Sequence, residues 1–211
     1  MSEYWGKGII EARIKLKDGH IDEGISLLME LAKSKNHECA KESKKLLVKT
    51  LAQIENKKIL AKSYLEDLYK EERNINNSAH LMKLSAAIGD LSSVNKYYNE
   101  SLNLLESQGE INGIFLDYIY FESLVTVKAD FSDTFGVILK LVDHFRKIKI
   151  LDHHFLITRR LPSFYGFLKT VELFYINNNK PIELIKFLQD QLSWVDESGK
   201  EVISEILLKY P

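Results

Sequence analysis

Apolar residues recur along most of the chain at spacings of three and four, the period that gathers them on one face of an α-helix, and the runs end at Gly, Asn or Asp. The clearest case is residues 81–105, LMKLSAAIGDLSSVNKYYNESLNLL, where two amphipathic runs flank Gly89-Asp90. Runs joined by so short a break predict an antiparallel helical hairpin. Upstream, Trp5, Ile9, Ala12 and Leu16 mark a helix over residues 4–16 that Asp18-Gly19 stops. Ile25, Leu28, Leu31 and Ala32 carry its partner over residues 21–32, with Asp22 and Glu23 in the first turn, where carboxylates suit the helix dipole. A second hairpin joins residues 38–54, striped by Leu46, Leu47, Leu51 and Ile54, to residues 59–69, striped by Leu60, Tyr64, Leu65 and Leu68, across a break at Asn56. The polar tract 71–78 closes it, and Ser78 is the expected N-cap of the helix that follows.

Beyond Gln108-Gly109 the core residues become bulkier, because all ten phenylalanines lie between Phe115 and Phe187. Residues 111–127 and 134–148 predict another hairpin around Ala129-Asp130. A helix of unspecified length in residues 147–163 should end by Pro162, which restrains the residue before it. Residues 164–176 and 182–194 form a last hairpin across NNNKP, with Pro181 in the first turn of the second helix, and residues 201–210 supply a capping helix. The expected organisation is one all-α domain over residues 1–211, with 1–109 and 110–211 as its two parts.

The breaks at Gly19, Asn56, Gly89, Ala129 and Asn179 recur at intervals that begin in the thirties and lengthen, the mark of an α-solenoid of helical hairpins. Here the sequence resembles the tetratricopeptide repeat family, which places a small residue early in the second helix and a large apolar one four later. Those places hold Gly24 and Leu28, Ala61 and Leu65, Val94 and Tyr98, Leu184 and Leu188. The resemblance is best over residues 5–105; the second half suits a HEAT-like stack equally well, and the family's first-helix Trp, mid-helix Gly and terminating Pro have no counterparts. The resemblance implies a right-handed superhelix whose concave face includes Arg13, Lys17, Thr50, Gln53 and Lys83. It also makes Tyr98 a knob between the helices of its own hairpin and turns Tyr97 towards the neighbouring one. Gly24 sacrifices about 1 kcal/mol of helix propensity, which close packing of the two helices would explain.

Composition narrows the chemistry. Apolar residues make up 45% and charged ones 28%, with a formal net charge of −1, so no global field draws the chain to nucleic acid or an anionic membrane. A single cysteine, Cys39, rules out an internal disulfide and cysteine-based zinc ribbons. The longest apolar stretch, 114–127, is interrupted by Asp117 and Glu122 and is too short to span a bilayer. With no leader-like start, the expected location is the cytoplasm.

Short motifs point to no reaction. Asp152-His153-His154 resembles the signature of the DHH phosphoesterases, whose further aspartate motifs and Gly-rich carboxyl-terminal region are missing; the simpler expectation is an N-cap followed by two surface histidines. His37 and Cys39 are too few for a zinc site. HExxH, GxGxxG and Walker loops are absent, and Ser93-x-x-Lys96 lacks its companion motifs. No catalytic residue, metal or cofactor is expected.

The function that remains is a non-catalytic module holding a peptide or protein partner along a concave helical face. A small toxin-antagonist or immunity-type protein occluding a partner enzyme is the alternative. A nucleic-acid binder using Arg146, Arg159 and Arg160 within the basic segment 146–160 is a third reading that the net charge disfavours. The aromatic-rich second half offers a surface for homo-oligomerisation.

Overall fold

The structure, a computed structural model, describes residues 2–108 and 113–210. It is all-helical, with no strand among the described residues. The first half holds α1 (Ser2–Lys17), α2 (Ile21–Leu31), α3 (His37–Leu51), α4 (Lys58–Glu71), α5 (Ile75–Ala87) and α6 (Leu91–Gln108). The second holds α7 (Gly113–Val127), α8 (Phe131–Ile148), α9 (His153–Thr158), α10 (Phe164–Asn177), α11 (Pro181–Gln191) and α12 (Glu197–Leu207). Helices pack in adjacent pairs, α1 with α2, α3 with α4, α5 with α6, α7 with α8 and α10 with α11, and each pair leans on the next.

Four of the turns within pairs share one backbone solution. A residue with positive φ sits just past the first helix, and the next amide donates to the carbonyl five residues back, capping the helix end. Gly19 (φ 87) and Gly89 (φ 77) occupy that place at no steric cost. Lys128 (φ 56) and Asn179 (φ 56) adopt it with a side chain. The closing bonds are His20 N to Lys15 O, Asp90 N to Ser85 O and Lys180 N to Tyr175 O at 2.9 Å, and Ala129 N to Leu124 O at 3.0 Å.

The small-then-large pairing also has a structural basis. Gly24, Ala61, Val94 and Leu184 are buried, and Leu28, Leu65 and Leu188 one turn on are at most 2% exposed. Thr134 and Ile138 fill the same two places in α8, both fully buried, a pair the sequence pattern did not single out. A Cβ at Gly24 would lie 2.7 Å from Cγ and Cδ2 of Leu16, so α1 and α2 approach too closely there for any side chain.

Tyr97 reaches the preceding pair as expected, donating its hydroxyl to Glu66 Oε1 at 2.8 Å and meeting Tyr69 edge-on. Tyr98 packs against the first core and also reaches forward to the next pair. It stacks on Tyr120 of α7 at 3.8 Å and is only half-buried.

Two apolar clusters fill the chain, and α7 belongs to both. Leu116, Ile119 and Leu124 join the core of the first half, whereas Phe121 and Val125 join the aromatic core of the second. That second core is built on Phe145, whose ring centroid lies 5.2 Å from those of Phe164 and Phe167. The terminal helix α12 covers α10 and α11, and beyond it Lys209 and Tyr210 bind Glu172 of α10 at 3.0 and 2.9 Å.

Several boundaries differ from the sequence pattern: α8 begins three residues earlier than expected and α11 ends three residues sooner, and three other differences have a clear local cause. Ser78 is not an N-cap: Asn74 caps α5 by accepting from Asn77 N at 2.8 Å, while Ser78 is buried inside the helix and bonds Ile75 O and Ser101 Oγ. The polar tract becomes helical because Ile75, 3% exposed, anchors its first turn. α3 stops at Leu51, and Ile54 precedes a short 3-10 turn over Glu55–Lys57. α12 starts four residues earlier than the apolar stripe indicated, at Glu197, because Asp196 caps it through Gly199 N at 2.9 Å. The expected helix start at residues 111–112 lies outside the described residues.

Candidate functional site

The first helices of three successive pairs, α5, α7 and α10, stand next to one another through α7. Between them runs a cavity of about 410 Å³, within the size range of ligand pockets. Much of its floor and sides is made of small side chains, Ala86 and Ala87 of α5, Ser123 and Thr126 of α7 and Thr170 of α10, together with Val125 of α7. Each hydroxyl donates to a carbonyl of its own helix, Ser123 to Ile119 O, Thr126 to Glu122 O and Thr170 to Gly166 O, within 3.1 Å. The floor is therefore largely apolar despite its composition. Leu173 rises from one wall, 51% exposed, and Lys83 Nζ faces Glu122 Oε2 across the opening at 3.6 Å.

A polar cluster sits on the other side of α7. Asp117, 2% exposed, accepts from Tyr98 Oη at 2.6 Å and from Lys140 Nζ at 2.9 Å, and its second oxygen lies 3.3 Å from His144 Nε2. Burial, and then the bond to Asp117, push the Tyr98 hydroxyl well above the usual phenol range. Its proton is thus held firmly at neutral pH. Because Asp117 of α7 accepts from both α6 and α8, and Lys140 Nζ also reaches Tyr98 Oη at 3.3 Å, the cluster ties three helices together where the two apolar cores meet. An acid inside the apolar run 114–127 was the signal for it in the sequence.

Of the residues assigned to the concave face, Lys83 lines the cavity. Arg13 and Lys17 are exposed on α1, Thr50 is half-buried on α3 and Gln53 is exposed beyond it, all four outside this cavity. Glu122, Thr126, Thr170 and Leu173 complete the lining, and they were not singled out, because each belongs to a helix whose apolar pattern hid its exposed side. Of the basic segment, the guanidinium of Arg146 lies 5.4 Å from the Trp194 ring centre and that of Arg159 3.8 Å from the Phe155 ring centre, while Arg160 is exposed with φ 55.

The motif-like residues take structural positions. Asp152 caps α9 through Phe155 N at 2.8 Å, His153 faces Ser163 Oγ at 3.3 Å and His154 is exposed. Cys39 is fully buried and points its thiol at Leu31 O, while His37 is exposed. Among the described residues no three His, Cys, Asp or Glu side chains come together as a metal site, and no helix is long and apolar enough to cross a membrane. Compared with family models, with curated proteins and with solved structures, the chain matches none.

Proposed function

We propose that this chain is a non-catalytic protein-binding module of the cytoplasm, a right-handed α-solenoid of tetratricopeptide-like hairpins that holds a peptide or protein segment between its first helices. The cavity between α5, α7 and α10 carries the reading: an apolar floor of small side chains beside an exposed leucine and a loose ion pair is suited to receive side chains from outside. The solenoid reading rests on how the second helices range themselves. Lys57 reaches Asp22 at 3.1 Å, Lys62 reaches Asp90 at 2.7 Å, and Lys180 lies over Phe131 at 4.9 Å. These contacts link α4 with α2 and with α6, and α11 with α8, which supports second helices lying side by side.

The test is capture from an extract of the native cell, quantified by mass spectrometry, with wild type, Leu173→Lys and Lys83→Glu as baits. Both positions are exposed, so the variants should melt within about 2 °C of wild type, as surface substitutions usually cost at most about 0.5 kcal/mol. Partners enriched by the wild type should be depleted by both variants. An identical captured set would refute the groove.

A further inference from the structure

A second surface, separate from the groove, lies between the end of α8 and the start of α10. Residues 146–160 contain five cations, Arg146, Lys147, Lys149, Arg159 and Arg160, against one carboxylate, Asp152, and that carboxylate is engaged in capping α9. Elsewhere lysines are commonly neutralised by neighbours, as Lys41 is by Glu72, Lys44 by Glu71 and Lys62 by Asp90, all within 2.9 Å. Here Lys147 pairs with Asp143, but Arg146, Lys149, Arg159 and Arg160 form no ion pair among the described residues. Among these charges stand Ile150, 44% exposed, and Ile157, 52% exposed.

The segment is held in shape rather than loose. Leu151, Leu156 and Leu161 are buried in the aromatic core. Leu151 N donates to Asp196 Oδ2 at 2.8 Å, and Leu161 N closes the end of α9 on Leu156 O at 2.9 Å. Lys149 and Arg160, both exposed, take positive φ towards its two ends. The guanidiniums of Arg146 and Arg159 lie over the rings of Trp194 and Phe155, at 5.4 and 3.8 Å from the ring centres.

We infer that this surface docks an acidic protein segment whose carboxylates are spaced by apolar side chains. Guanidiniums without a carboxylate partner suit the two oxygens of a carboxylate, and the exposed isoleucines suit an apolar counterpart. The phosphate backbone of a duplex offers nothing to cover Ile150 and Ile157. A lipid surface attracts basic side chains through its overall negative charge and makes no use of their particular arrangement.

Fluorescence anisotropy with a labelled peptide of alternating Glu and Leu pairs tests it. The counter-probes are the same peptide with Gln for Glu, a labelled DNA duplex, and vesicles of phosphatidylcholine with one third phosphatidylserine. Only the Glu peptide should bind the wild type, more weakly as salt is raised. Lys149→Glu with Arg160→Glu should weaken it by about tenfold or more, Ile150→Ser with Ile157→Ser should also weaken it, and Lys83→Glu in the groove should leave it unchanged. Circular dichroism melts of all variants confirm that they are folded. Equal binding of the Gln peptide, retained binding by the charge-reversed variant, binding only to duplex or vesicles, or no binding of any probe overturns the proposal.

Discussion

Replacing Gly24 with Ala tests the packing rule of the repeat, because helix propensity and packing predict opposite signs. On propensity alone, Ala at a mid-helix position stabilises by about 1 kcal/mol relative to Gly. In this structure the new methyl would lie 2.7 Å from two carbons of Leu16 and 3.3 Å from the carbonyl oxygen of Ala12. The first distance is about 1 Å inside comfortable carbon contact. The carbonyl belongs to the backbone of α1 and cannot turn aside, so Leu16 or the whole helix must shift. Overpacking of this kind costs about 1–3 kcal/mol, which leaves Gly24→Ala destabilising by about 1 kcal/mol net. Leu16→Ala removes the two closest contacts and leaves only the 3.3 Å approach to the Ala12 carbonyl, which a shift of a few tenths of an ångström relieves. In that background Gly24→Ala should stabilise by up to about 1 kcal/mol, giving a coupling of about 2 kcal/mol, within the range of contacting residues. Urea unfolding of the four proteins, followed by circular dichroism at 25 °C, measures it. Were Gly24→Ala to stabilise equally in both backgrounds, close approach would not be the reason for a glycine at this position.

Removing the acceptor at the junction of the two cores, Asp117→Ala, should cost about 2–4 kcal/mol, somewhat below the usual price of breaking a buried pair because the Lys140 side chain is 49% exposed. Asp117→Asn, which still accepts from Tyr98, should lose less, and equal losses in thermal melts would refute the role of the carboxylate. Lys62 and Ser93 hold the Asp90 carboxyl below its ordinary value of 3.8. A folded-state value beneath the unfolded one means that this contribution is complete above 3.8 and fades as pH falls through the folded value. The deficit of Asp90→Asn, which keeps the cap, should therefore be present at pH 7, at about 1 kcal/mol or less for a pair this exposed, and vanish in strong acid; a deficit independent of pH would contradict it. At the turns, Gly19→Ala should lower the melting temperature and Asn179→Gly should raise it, each by about 1 kcal/mol or less in stability, and the same sign for both would exclude positive φ as the cause.

The hairpin frame was legible because three local signals agreed along most of the chain: an apolar stripe, a break, and a small-then-large pair. Gly24, Ala61, Val94 and Leu184 were all found in this way. Thr134 was missed because a hydroxyl at the small position does not look like a packing residue, although it donates to Asp130 O at 2.9 Å and so buries without an unmet donor. Ser78 misled for the converse reason. Its hydroxyl suits a cap, but Asn74 lies four residues upstream with the same ability, and the apolar residue that follows Asn74 decided where the helix began. Composition cannot choose between two competent caps; burial of Ile75 did.

The site was less legible than the fold, and the reason is geometric. A surface built from one strip of each of three helices is scattered through the sequence as Lys83, Glu122, Thr126, Thr170 and Leu173, with no spacing rule joining them. Each strip is constrained only to avoid blocking the cavity, which is why small residues collect on its floor and carry no chemical signature. The same freedom separates the two proposed surfaces. Between the first helices, ordinary residues acquire a use from their placement. In residues 146–160, Lys149, Arg160 and two exposed isoleucines sit on a segment that its leucines already hold in shape. Side chains left without a folding role on a rigid support are where a partner's chemistry should be sought.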